Sequence, residues 1–209
     1  MNRIGIGLLI LCCLHAELSL AQEDTIKQRL GFGVQLGLNA SRVTGTTFQG
    51  INKAGLYAGF FLTKPINEKI KLELDLCYSQ KGTLKPPNPK IGDYTIYRMK
   101  LEYISTEFYC RYNRKRIDII AGLGGGWLID WKETDENNQP ITANGEFSKM
   151  ELSGMLGVLF PISQKFGIGV LGCHSIVPIR KHISGVTFRL NRGQYNQVLN
   201  FIVKYTILN

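Results

Sequence analysis

Between Lys69 and Ser79 every second residue is apolar, without a break. Ile70, Leu72, Leu74, Leu76 and Tyr78 hold one face; Lys69, Lys71, Glu73, Asp75, Cys77 and Ser79 hold the other. Side chains of a strand point to opposite sides in turn, whereas a helix would scatter this period of two around its circumference. The stretch is therefore a strand with one apolar wall and one charged wall.

Seven more stretches repeat the pattern. The first runs near Leu30 to Ala40, with Phe32, Val34, Leu36 and Leu38 on the apolar side, and the second carries Ala54, Leu56, Ala58, Phe60 and Leu62. The fourth, Arg98 to Tyr112, sets Ile104, Phe108, Cys110 and Tyr112 against Ser105, Glu107, Tyr109 and Arg111. Its first part puts Arg98, Lys100 and Glu102 on the apolar side, so this end either protrudes beyond lipid or carries a β-bulge. The fifth sets Ile117, Ile119, Ala121, Leu123, Trp127, Ile129 and Trp131 against Asp118, glycines and Asp130. Met150 to Phe160, Phe166 to Ile176 and Leu199 to Ile207 complete the set.

The connections alternate in length. Ser41–Asn52, Gly82–Tyr97, Lys132–Glu146 and Val177–Gly193 are long, while Lys64–Glu68, Asn113–Arg116 and Pro161–Lys165 are short. An even number of strands, with short turns at one rim and long loops at the other, is the pattern of outer-membrane barrels. The expected fold is all-β, an eight-stranded antiparallel up-and-down transmembrane barrel over residues 30–209. Residues 1–21 read as a signal peptide cleaved after Ala21, with a basic start, an apolar core from Ile4 to Leu14 and Ser19-Leu20-Ala21 before the cut. Residues 22–29 read as a periplasmic lead-in. Cys12 and Cys13 invite a lipoprotein reading, but Leu11 stands where a small residue would be needed. Cys77, Cys110 and Cys173 then remain, an odd and scattered set that makes no disulfide framework.

Periodicity alone does not say which wall faces out. A soluble lipocalin-like barrel would turn the apolar wall inward around a hydrophobic ligand. The glycine-rich second face argues for a narrow lumen, and its charges come in both signs. Lys71, Glu73, Asp75, Glu107, Arg111, Asp118, Lys149, Glu151 and Lys204, with Asp130, are expected to pair inside, because unpaired buried charge is very costly. An open pore is not expected, since porin channels need about 16 strands. Tyr78, Tyr112, Trp127, Trp131 and Tyr205 read as interfacial girdle residues, or as ordinary barrel-packing aromatics.

The opening Gly31-Phe32-Gly33-Val34-Gln35-Leu36-Gly37-Leu38-Asn39, the run from Tyr103 to Tyr112 and Ala121-Gly122-Leu123-Gly124-Gly125-Gly126 together resemble the PorT-like outer-membrane β-barrel family. The resemblance implies the fold and an outer-membrane location, and a link to protein secretion through the family's name-bearing member. It carries over no catalytic or binding residue.

A net charge of +9 suggests an anionic partner, while its spread among loops and turns also fits a solvated basic rim. An exported chain meets phosphorylated lipid before nucleic acid, so outer-membrane lipid and surface glycolipid are the expected partners, with secretion or envelope proteins beside them. Loops on a rigid barrel are free to carry recognition, and Lys81, Lys85, Lys90, Arg180, Lys181, Arg189 and Arg192 are the expected glycolipid-phosphate contacts. The acidic loop with Glu133, Asp135 and Glu136 suits cations or a basic partner. Lipid acyl transfer is the enzymatic alternative and would draw on His174 or His182 with Ser175 or Ser184. A structural reading of these residues is preferred, and the expected function is non-enzymatic and cofactor-free: a structural, surface-interaction or secretion-assembly role. The lumen carboxylates are read as structural pairs rather than as an ion relay.

Overall fold

The computed structural model describes residues 30–45, 50–141, 145–181 and 193–208. The expected signal peptide and lead-in, and with them His182, Ser184, Arg189 and Arg192, lie outside the described residues. The strands are β1 (Gly31–Thr44), β2 (Lys53–Pro65), β3 (Ile70–Lys85), β4 (Tyr97–Arg114), β5 (Ile117–Thr134), β6 (Met150–Pro161), β7 (Phe166–Ser175), β8 (Arg180–Lys181) and β9 (Gly193–Leu208). Each of β1 to β7 pairs antiparallel with its neighbour in the chain, and β7 pairs with β9. β9 returns to β1 from Phe32↔Leu208 to Thr44↔Tyr195, so eight strands close a ring. Closure removes the unpaired edges that lipid would not tolerate. β8 is a two-residue addition to the loop end of β9.

The short turns are built by local chemistry. The Asn67 carboxamide oxygen accepts the N–H groups of Lys69 and Ile70, and Ser163 Oγ accepts those of Lys165 and Phe166. Lys115 takes the left-handed conformation that a two-residue hairpin turn demands, at φ 62°.

The alternation places the two walls as a transmembrane barrel requires. Leu36, Leu38, Leu56, Phe60, Leu76, Phe108, Leu123 and Leu156 point outward, with Leu36 still 65% exposed. Gln35, Asn39, Glu73, Asp75, Ser105, Asp118 and Asn200 point inward and are buried. The inside-out arrangement, a greasy cavity within a polar coat, is therefore not this molecule. An apolar band covering the outer wall is far too large for a surface in water, and it is the surface of a barrel in lipid.

Two features depart from the sequence expectation. β3 and β4 run on past Ser79 and begin before Arg98, so their loop shrinks to residues 86–96. Gly82 makes this possible: at φ 137°, a Cβ there would lie 2.1 Å from the Met99 carbonyl oxygen. The second feature is a bulge, which falls on β5 and not on β4. Glu102 pairs with Asp130 and Tyr103 with Leu128, leaving Ile129 as the extra residue. One extra residue inverts the parity beyond it. Asp130 therefore leaves the lumen for the outer wall, and Trp131 leaves the expected girdle to stand opposite inward-facing Leu101, 5.2 Å from the Phe147 ring. Trp127, Tyr112 and Tyr205 remain on the outer wall.

Gly122 is one of the inward glycines that leave no room for a side chain. A Cβ there would lie 2.5 Å from the Tyr109 ring, whereas at outward Gly125 it would meet nothing within 4 Å. Gly122→Val is expected to lower stability by about 1–3 kcal/mol through overpacking, and Gly125→Val to leave it unchanged. Urea titration of the folded, heat-modifiable gel band measures both.

Candidate functional site

The inward residues form layers along the barrel axis. Nearest the short turns, Arg111 on β4 donates to Glu73 Oε2 and to Asp118 Oδ2, both at 2.6 Å. Lys204 on β9 reaches Glu73 Oε1 at 2.5 Å and Asp75 Oδ2 at 3.0 Å, so one ammonium ties β9 to β3 across the lumen. In the middle, Gln35 Nε2 donates to Asp75 Oδ2 at 2.7 Å, and the hydroxyls of Tyr57 and Tyr109 donate to Glu107 Oε2 at 2.8 and 2.6 Å. The opposite half of this layer is apolar, filled by Ile120, Met155, Leu159, Leu171, Val198 and Ile202. Above it, Lys81 bonds Glu151 at 2.8 Å, and Glu151 also accepts from Ser175 Oγ and Asn196 Nδ2 at 2.6 and 3.0 Å.

The loop end is capped by a second apolar cluster, Val43, Met99, Leu101, Tyr103, Phe147 and Ile179. Arg180 latches it, with its two terminal nitrogens on the Glu133 carboxylate at 2.8 and 2.9 Å and its guanidinium 4.2 Å over the Phe147 ring. The Tyr97 hydroxyl donates to the same carboxylate.

Several expected sites move. Lys81 and Arg180, expected at the loop surface, are buried in ion pairs, because the period of two that places Glu73 and Asp75 inward continues through Lys81. Lys149, expected in the lumen, is exposed, since β6 begins one residue after it. Glu107 is buried but bonded by tyrosines instead of a cation. Lys71 is half-buried at the short-turn mouth, where it lines a cavity of about 320 Å³ with Arg111, Lys165 and Lys204. Lys90 and Lys181 are exposed. Lys85 is engaged by Asp93 at 2.7 Å. That bond, with two more from Thr95, holds the Asp93 carboxyl down at about 2. His174 faces outward beside Tyr195 while Ser175 faces inward onto Glu151, so the two do not meet. Cys77, Cys110 and Cys173 are free thiols.

On the outer wall above the apolar band stands a group that composition alone did not single out. Arg98, Lys100 and Glu102 face outward from β4, and Lys132 of β5 is directly opposite Lys100. Lys100 pairs with Glu102, and Arg98 donates to Asn138 at 3.0 Å. From Tyr112 to Ile104 the strand rises about 20 Å at a tilt of about 40°. Lys100 and Lys132 therefore lie at the edge of a band about 25 Å tall.

The family model for the outer membrane protein beta-barrel domain matches residues 20–180. The chain belongs to that family. This outer-membrane barrel thus has its short turns toward the periplasm and its long loops outside. Among solved structures it is similar to Neisserial surface protein A, with a TM-score of 0.52 at 12% identity over 84% of this chain and 97% of that one. It is also similar to Ail, the attachment invasion locus protein of Yersinia pestis, with a TM-score of 0.48 at 11% identity over 86% and 99%. No curated protein matches it in sequence.

The lumen pairs of this barrel are expected to behave as buried ion pairs do. Lys81→Met leaves Glu151 charged and unpaired and should cost about 3–5 kcal/mol. Adding Glu151→Gln, which still accepts from Ser175 and Asn196, should recover part of that loss in the same urea titration.

Proposed function

We propose that this protein is a non-enzymatic surface barrel that engages phosphorylated glycolipid of the outer leaflet through a basic collar of Arg98, Lys100 and Lys132, with exposed Lys90 and Lys181 above it. The observation that carries this reading is the Lys100–Lys132 register. Like charges directly opposite on one face of a sheet are destabilising; Glu102, bonded to Lys100, offsets part of that repulsion, and an anion held between the two lysines relieves the rest. Each lysine or arginine near an anionic lipid surface contributes about 1 kcal/mol, attenuated by salt. The loop cations expected from the sequence serve this role less well where they are buried, as Lys81 and Arg180 are, whereas the Lys100 side chain stays half-exposed while bonded to Glu102. The separation of outward His174 from inward Ser175 supports a role without acyl-transfer chemistry. Export by a signal cleaved after Ala21 supplies the route to the membrane.

A second reading places the protein beside secretion or envelope proteins. It is favoured by Lys71 and Lys165 at the periplasmic-mouth cavity, which suit an acidic segment, whereas Arg111 and Lys204 of the same lining are bonded to Glu73, Asp75 and Asp118. The resemblance of Tyr103–Tyr112 to the PorT-like family points the same way.

Binding of the refolded barrel to micelles of phosphorylated glycolipid decides between them. Lys100→Gln with Lys132→Gln should weaken binding by about 2 kcal/mol, roughly thirtyfold, and removing the lipid phosphates should abolish the difference. Unchanged affinity in that variant would remove the collar reading.

A further inference from the structure

Asp75 on β3 and Glu107 on β4 are direct cross-strand partners, and both face the lumen. Two like charges so placed repel, and burial away from water raises the cost. The lower and middle layers hold four carboxylates, Glu73, Asp75, Glu107 and Asp118, against two cations, Arg111 and Lys204. Both cations are already bonded within that set, and Glu107 is met by tyrosine hydroxyls. Among the buried described residues of these two layers the carboxylates therefore outnumber the cations by two, with half-buried Lys71 at the mouth.

Cys77 is the next inward residue after Asp75 on β3. One ligand atom from each of Asp75, Cys77 and Glu107 lies within 4.8 Å of the other two, and all three residues are buried. A fourth group abuts them from β1. Gln35 is 1% exposed, and its amide nitrogen lies 2.7 Å from Asp75 Oδ2 and 3.0 Å from Cys77 Sγ. Its carbonyl oxygen is buried with no hydrogen-bond partner, and so is Asp75 Oδ1. Buried polar atoms are very rarely left so. A half-turn of the Gln35 amide carries its oxygen to the position now held by nitrogen, against the same cluster.

We propose that Asp75, Cys77 and Glu107 bind a divalent transition-metal ion of the zinc class, with Gln35 turned to offer its carbonyl oxygen. Two positive charges offset that excess, less the one negative charge that the Cys77 thiolate adds on binding. A sulfur donor among few oxygens suits zinc, whereas calcium takes six to eight oxygens and magnesium an octahedral oxygen shell. On binding, a metal–sulfur bond forms as the Cys77 S–H bond breaks, and the proton leaves to solvent. The ion would tie β1, β3 and β4 together within the lumen, apart from the outer collar.

The test uses the full barrel refolded in detergent, stripped with a chelator and titrated with Co²⁺. A thiolate-to-cobalt charge-transfer band should saturate at one equivalent and be displaced by Zn²⁺. Cys77→Ser should abolish the band. Asp75→Asn and Glu107→Gln should each weaken Co²⁺ binding by more than about tenfold. Cys173→Ser and Cys110→Ser should leave it intact. Heat-modifiable gel migration identifies which variants are folded, and the two carboxamide variants carry the test if Cys77→Ser is not among them. A folded wild-type barrel without the band, a band that survives in folded Cys77→Ser, or binding unchanged in both carboxamide variants would overturn the proposal.

Discussion

Every second residue along the described barrel strands points into a space that neither bulk water nor lipid can satisfy. Outside, hydrocarbon accepts leucine and phenylalanine with no further condition. Inside, each donor, acceptor and charge needs a partner on another strand, and the cost of failing is several kcal/mol per ion. The Lys204 ammonium, shared by Glu73 and Asp75 across the barrel, shows how the demand is met. A long flexible side chain from one wall bridges two carboxylates on the other. Arg111 does the same between β3 and β5 with a planar fork that suits two carboxylates at once.

That requirement divides the molecule into parts with different tasks. The lumen holds charge layers separated by an apolar middle wall, and a second apolar cluster closes the outer mouth under the Arg180–Glu133 latch. Side chains committed to this packing are not free to meet a ligand outside. What faces the surroundings is the lipid band, the basic collar above it and the loops, and it is there that we propose recognition of an anionic surface. The tall wall of β3, β4 and β5 carries the collar beyond the hydrocarbon, while β6 and β7 end lower.

The strand count and order were legible from the repeated period of two and the alternating connection lengths, and the sense of the two walls from the glycines and mixed charges of the second face, which periodicity alone leaves open. The inward carboxylates Glu73, Asp75, Asp118 and Glu151 were legible for the same reason. Lys81 was misplaced when a strand end was set at Ser79, although Lys81 and Thr83 keep the inward parity. Asp130 and Trp131 were misplaced because a single extra residue at Ile129 inverts the faces, and nothing local in the sequence announces it. The outer cap was not legible at all. Phe147 and Ile179 reach it from loops, where periodicity has no hold.

The central claim is that the lumen is a packed, hydrogen-bonded polar core and not a passage. Conductance of the refolded barrel in a planar bilayer tests it most directly. The account predicts no steady ion current in the wild-type protein. A stable, reproducible single-channel conductance from wild-type protein would contradict it.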